Sequence, residues 1–148
     1  MSDFDTQNIF GKGAFNEAFD EYFTGKSYLN PLVDIEDNLM FIANVTFEPG
    51  CRNNWHIHHA KTGGGQVLIC IAGEGWYQEE GCEAVSLKPG SVIEIRPGVK
   101  HWHGAKADSW FSHIALEIPD CLSAAKVILT FSGITISISI SAKIQLYV

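Results

Sequence analysis

Six histidines fall between residues 56 and 113 of this 148-residue chain, and two pairs of them share one spacing. His56 and His58 lie two residues apart, and His101 and His103 repeat that interval. Side chains alternate across a β-strand, so each pair points to a single face wherever its segment is extended. On the same reading His113 shares a face with Phe111, Ala115 and Glu117. Neutral imidazoles converging from different strands are what a borderline divalent metal requires, at roughly 2.0–2.2 Å from each nitrogen. A single His-x-His on a strand is equally at home on an ordinary surface. Two such pairs, each beside a Pro-Gly turn (Pro49-Gly50 and Pro97-Gly98), point to a metal.

Short strands must do the positioning. Leu39–Phe47 places Leu39, Phe41, Ala43, Val45 and Phe47 on one face at period two. Further strands are expected at Trp55–His59, Gln66–Ala72, Trp76–Glu79, Ala84–Leu87, Ser91–Ile95, Lys100–Gly104 and Trp110–Ile118. They are separated by Gly63-Gly64-Gly65, Gly73-Glu74-Gly75, Gly81, Pro89-Gly90 and Pro97-Gly98. Many short strands with Gly/Pro turns describe an all-β sandwich or barrel. Residues 14–23 instead repeat Phe15, Ala18, Phe19, Tyr22 and Phe23 at helical spacing, which predicts a short amphipathic helix lying over the barrel.

Seventeen acidic residues against ten basic ones leave a net charge of −7. Such a surface repels phosphate backbones and anionic membranes, so neither nucleic acid nor a membrane is an expected partner. No stretch reaches the roughly 18 uninterrupted apolar residues of a membrane helix. The N-terminus, MSDFDTQNIF, lacks the basic start and apolar run of a signal peptide, and a cytoplasmic location is expected. Cys51, Cys70, Cys82 and Cys121 form no CxxC pair and are expected as reduced thiols.

Two segments carry a family resemblance. Gly50-x5-His56-x-His58-x7-Gln66-x6-Gly73 resembles the first motif of the cupins, and Gly90-x6-Pro97-Gly98-x2-His101 resembles the second. The resemblance covers roughly residues 40–118. It implies an all-β, double-stranded β-helix (a jelly-roll barrel) with a short N-terminal helix. It divides the chain into an N-terminal extension (1–38), a metal-binding barrel (39–118) and a tail (119–148). It also implies one divalent metal held by His56, His58, Gln66 and His101, with Mn favoured over Fe, Zn or Ni. The block His101-Trp102-His103-Gly104-Ala105 followed by His113 is similar to small bacterial cupins. Those are related to manganese-dependent hydroxynitrile lyases and to cupins associated with carboxymuconolactone decarboxylase-like proteins. Two departures stand out: the usual acidic ligand is Gln66, and the spacer before it is seven residues rather than three or four.

Three imidazoles and a neutral amide would leave a divalent ion at net +2. That favours Lewis-acid chemistry on an anion-forming small molecule over oxidation of the metal. The leading expectation is a lyase or decarboxylase-type enzyme acting on a small oxygenated substrate, with His103 and His113 as its acid/base residues. The alternatives are a quercetinase-like dioxygenase and a non-enzymatic metal or small-ligand binding module. His59 and Trp102 are expected to face away from the metal. A homodimer is expected, since cupins generally pair through their barrel edges and an uncovered edge strand is a hazard. The tail repeats Ile-Thr-Ile-Ser-Ile-Ser-Ile-Ser, a strand pattern. It reads as an added edge strand, a subunit contact, or sequence foreign to the ancestral domain.

Overall fold

A computed structural model describes residues 2–33, 40–120, 126–131 and 134–139, the last two segments as backbone only. A one-turn helix α1 (Asp3–Gln7) opens the chain, followed by β1 (Ala14–Phe15), a 3₁₀ turn (Glu17–Tyr22), β2 (Phe23–Thr24) and β3 (Ser27–Pro31). Next come β4 (Phe41–Phe47), β5 (Arg52–Asn53), β6 (His56–His59), β7 (Gln66–Gly73), β8 (Gly75–Glu79) and β9 (Val85–Leu87). The order ends with β10 (Val92–Ile95), β11 (Lys100–Ala105), β12 (Phe111–Glu117), β13 (Lys126–Phe131) and β14 (Ile134–Ser139). The chain is all-β, as expected, and the central strands start and stop within about two residues of their sequence signals, ordinary scatter for element ends.

The strands form two antiparallel sheets. One runs β1-β3-β4-β12-β7-β10; the other runs β14-β13-β6-β11-β5-β2, with β8 and β9 added alongside β11. The alternating apolar residues of both sheets meet between them. Phe47 and Phe111 are completely buried there, with Leu68, Leu87 and Ile95 around them. Phe47 also lies under the histidines, its ring centroid 5.8 Å from His103 and 5.6 Å from His113. Phe47→Ala is expected to lower unfolding free energy by about 3–5 kcal/mol, the cost of a buried aromatic truncation. Urea denaturation of the variant checks this, and a loss below 1 kcal/mol would mean the pocket collapses around the gap.

The helix expected at residues 14–23 is not formed. Only Glu17–Tyr22 turns, as a 3₁₀ segment flanked by the short strands β1 and β2. Asn16 stands at its start without a side-chain cap and instead reaches Ser27 Oγ at 3.3 Å. Gly13 and Gly25, on either side, have positive φ. Strand pairing at both ends leaves too few residues for an α-helix, yet Phe19 and Phe23 still enter the core, which is what their spacing signalled. The α-helix lies earlier, at Asp3–Gln7, begun by a capping box between Ser2 and Asp5. It is held to the outer side of the first sheet by a buried polar network. Asn44 Nδ2 donates to Asn8 Oδ1 at 2.7 Å, and Ser112 Oγ donates to Asn44 Oδ1 at 2.6 Å.

The isoleucine-rich tail forms a hairpin with the preceding strand. Ile136 is opposite Leu129, and β13 in turn pairs antiparallel with β6, placing Leu129 opposite His58 and Phe131 opposite His56. The tail therefore extends the edge of the sheet that carries the first histidine pair. Leu39 and Cys121, and the tail beyond Ser139, lie outside the described residues.

Candidate metal centre

Both histidine pairs face inward. His56 and His58 on β6 are buried while Ile57 and His59 between and after them are not, and β11 buries His101 and His103 around a half-buried Trp102. Trp102 packs outside, donating to Gln78 at 2.9 Å and carrying the Arg52 guanidinium over its ring. The antiparallel register sets His101 directly opposite His56 and His103 opposite Tyr77. Ring centroids are 4.2 Å apart for His56–His101, 5.2 Å for His56–His58 and 5.4 Å for His58–His101.

Backbone carbonyls choose the tautomers. His56 Nδ1 lies 2.8 Å from the carbonyl of Asn54, and His101 Nδ1 lies 3.0 Å from that of Val99. A carbonyl only accepts, so each Nδ1 carries the proton and each Nε2 keeps its lone pair. This is the arrangement of metal-binding histidines, whose second nitrogen donates to a carbonyl or carboxylate. Burial, with the neighbouring imidazoles, holds His56 well below its ordinary pKa and His101 down to about 3. Both are therefore neutral, the form that ligates.

Gln66 enters from the other sheet. The Gly-rich loop before it is pinned to the end of β12: Gly64 N donates to the carbonyl of Pro119 at 3.2 Å, and Ile118 N to that of Gly65 at 3.0 Å. Lys61 N and Thr62 N donate to the Asp120 carboxylate. Gly65 has φ of 89°, and a Cβ there would run into the carbonyl of Ile95. The longer spacer thus has a built anchor, and it delivers Gln66 fully buried at the first position of β7.

The residues present fit a divalent cation. His58 Nε2, His101 Nε2 and Gln66 Oε1 are buried polar atoms without a hydrogen-bond partner. Such atoms are rare in folded proteins unless something else satisfies them. A second trio overlaps this one: His56, His101 and His103 each offer a ligand atom, all within 4.8 Å of one another. The two differ in how His103 is occupied. Asn53 Nδ2 donates to His103 Nε2 at 3.0 Å, Asn53 Oδ1 accepts from its backbone N–H at 2.8 Å, and His113 Nε2 sits 3.3 Å from its Nδ1. Both ring nitrogens of His103 are thus in use by protein groups. Burial, with His113 and the other imidazoles, keeps His103 well below its ordinary pKa, and burial brings His113 to about 4.

Three neighbours were not singled out in the sequence. Asn53, on the two-residue strand β5, carries no signal beyond its closeness to Trp55-His56. Tyr77 is buried with its ring 5.8 Å from His101. Glu117 is buried against the histidines, its Oε2 2.9 Å from His58 Nδ1, and its Oε1 accepts from Gln66 Nε2. Its place on the face of His113 was the available clue. Its carboxyl group lies beside the proposed ligands, outside the ligand sum on which the +2 expectation rests.

The cupin domain family matches residues 43–112. An (R)-mandelonitrile lyase from Granulicella tundricola is 40% identical over 108 residues, which is 72% of this chain and 79% of that protein. A cupin-like protein of known structure from Thermotoga maritima superimposes with a TM-score of 0.66 at 40% identity, covering 74% of this chain and 80% of the other. A predicted oxalate decarboxylase from the same organism shares the fold, at 20% identity and a TM-score of 0.56, over 65% and 83% of the two chains. This chain belongs to the cupin family.

Proposed function

We propose that the protein is a metal-dependent lyase that cleaves a small 2-hydroxynitrile into a carbonyl compound and cyanide. The observation that carries this reading is the placement of His103. It is neutral, buried beside His56 and His101, and gripped by Asn53 on one nitrogen and His113 on the other. The mandelonitrile lyase relative supplies the substrate class.

His56, His58, Gln66 and His101 would hold the cation, Mn²⁺ being favoured. When bound, the ion supplies a Lewis acid that draws charge from the substrate oxygen. The remaining chemistry falls to the protein. Asn53 donates to His103 Nε2, which keeps a lone pair there and leaves the Nδ1 proton pointing at His113. A substrate hydroxyl that takes the place of the Asn53 amide finds a neutral base. His103 Nε2 accepts the hydroxyl proton, the O–H electrons form the carbonyl bond, and the bond to the nitrile carbon breaks with its electron pair on cyanide. His103 then returns the proton to cyanide, so hydrogen cyanide leaves and the base is regenerated. His113 steadies the transient imidazolium from behind. Phe47 and Phe111 line the far side of this histidine pair and keep water from it.

The test is cyanide release from racemic mandelonitrile by protein stripped of metal and reloaded with Mn²⁺. Release well above that of the metal-free protein is expected. No release by the Mn²⁺ form, together with oxygen consumption by an Fe²⁺-loaded form, would replace the lyase by a dioxygenase.

A further inference from the structure

Glu117 is the last residue of β12 and lies opposite Gln66 across the sheet. Only 5% of its surface is exposed. A buried carboxylate is costly unless it is paired, and this one has two partners that both belong to the proposed ligand set. Its Oε1 accepts from Gln66 Nε2, and its Oε2 lies 2.9 Å from His58 Nδ1.

An ionised carboxylate accepts hydrogen bonds and donates none. Gln66 must therefore turn its NH₂ toward Glu117 and its oxygen away. That oxygen is buried with no partner. The 2.9 Å contact of the carboxylate with His58 Nδ1 is electrostatic, without the alignment of a hydrogen bond; the negative oxygen beside it favours the proton on Nδ1, which leaves a lone pair on Nε2, also a buried atom with no hydrogen-bond partner. One side chain thus sets the direction of an amide and the tautomer of an imidazole. Without it, the amide could present either end and the imidazole either nitrogen.

We propose that Glu117 is the positioning residue of the metal centre: its carboxylate orients Gln66 and His58 so that both aim a lone pair at the same cation. The proposal rests on the reading of His56, His58, Gln66 and His101 as ligands. It explains how a neutral glutamine can serve where an acidic ligand is usual. The carboxylate has moved one step outward, from the ligand position to the residue behind it.

The arrangement has a reciprocal form. In Glu117→Gln the residue keeps its shape but can accept from only one of its two partners, and its own NH₂ faces a donor. In the double variant Gln66→Glu/Glu117→Gln the carboxylate sits at the ligand position. The amide on β12 then donates its NH₂ to that carboxylate and accepts from His58 with its oxygen. Donors and acceptors match again.

Calorimetric titration of metal-free protein with Mn²⁺ tests this, with circular dichroism melting as a check of folding. Glu117→Gln is expected to weaken the Mn²⁺ dissociation constant roughly 10–100-fold, the usual cost of losing a group behind a metal ligand. The double variant is expected to recover most of that loss. Unchanged affinity in Glu117→Gln overturns the positioning role, and so does a double variant that binds no better than Glu117→Gln, since the loss would then be one of packing. If Glu117→Gln does not fold, the double variant is compared with Gln66→Glu, where two carboxylates face each other; tighter binding by the double variant supports the proposal and equal binding overturns it. Failure of the ligand reading looks different: the parent binds no Mn²⁺, or His58→Ala binds it as tightly as the parent.

Discussion

His58→Ala is expected to lose the metal, while His103→Ala keeps the metal and loses the reaction. The two residues are both buried, inward-facing and two positions from another inward histidine, so sequence position alone ranks them equally. Their partners separate them. His58 Nε2 is an unsatisfied buried atom, whereas Asn53 and His113 occupy the two nitrogens of His103. Replacing a group behind a ligand costs roughly 10–100-fold in metal affinity, so removal of the ligand itself is expected to cost at least that much. Loss of a general base lowers the rate by roughly 10²–10⁴. Metal content after dialysis and cyanide release from mandelonitrile, measured on both variants, give the comparison. The reverse pattern, with metal lost from His103→Ala and retained by His58→Ala, would place the cation among His56, His101 and His103. It would also remove His103 from the role of base.

Metal-free protein is expected to lose stability steeply as pH falls from about 6.5 to about 4. In the folded chain His56 and His103 sit well below the ordinary histidine value, His113 is near 4 and His101 near 3. Burial is the first cause in each case. The unfolded chain titrates near 6.5. Below that value the unfolded state binds protons that the folded state does not, so stability is complete above pH 6.5 and drains as pH falls. Each histidine contributes a slope of about 1.4 kcal/mol per pH unit in this window, and the four together up to about 5 kcal/mol per unit. Against a total of roughly 5–15 kcal/mol for a domain, one to three pH units suffice to unfold it. Bound metal competes with those protons and should move the transition to lower pH. Urea denaturation of metal-free protein at pH 7.5, 6 and 5 measures the slope. Equal stability at all three would mean that the histidines are solvated in the metal-free state.

Much of the site could be read before any coordinates. Alternation along a strand is a local property, so the inward direction of His56, His58, His101 and His103, and the outward turn of His59 and Trp102, followed from spacing of two. The Gly/Pro punctuation marked the central strands for the same reason, because turn chemistry acts over a few residues. The tail repeat was a strand pattern and β14 is a strand, but its partner was not in the pattern. Pairing with β13, and of β13 with β6, depends on which edge is open.

What the tertiary structure decided lies between segments far apart in the chain. His101 stands opposite His56, and Glu117 opposite Gln66, only because of registers set by the packing of whole sheets. Alternation put Glu117 on the face of His113, but glutamate in a strand ordinarily looks outward, and only the register with β7 sets it beside Gln66 and His58. Asn53 gained its place from a two-residue strand that periodicity is too short to show. The phenylalanine spacing at residues 14–23 identified a segment that covers the core but not its backbone form. Pairing of β1 with β3 and of β2 with β5 holds both of its ends extended, and ladder bonds gained there outweigh the weak helical preference of six intervening residues.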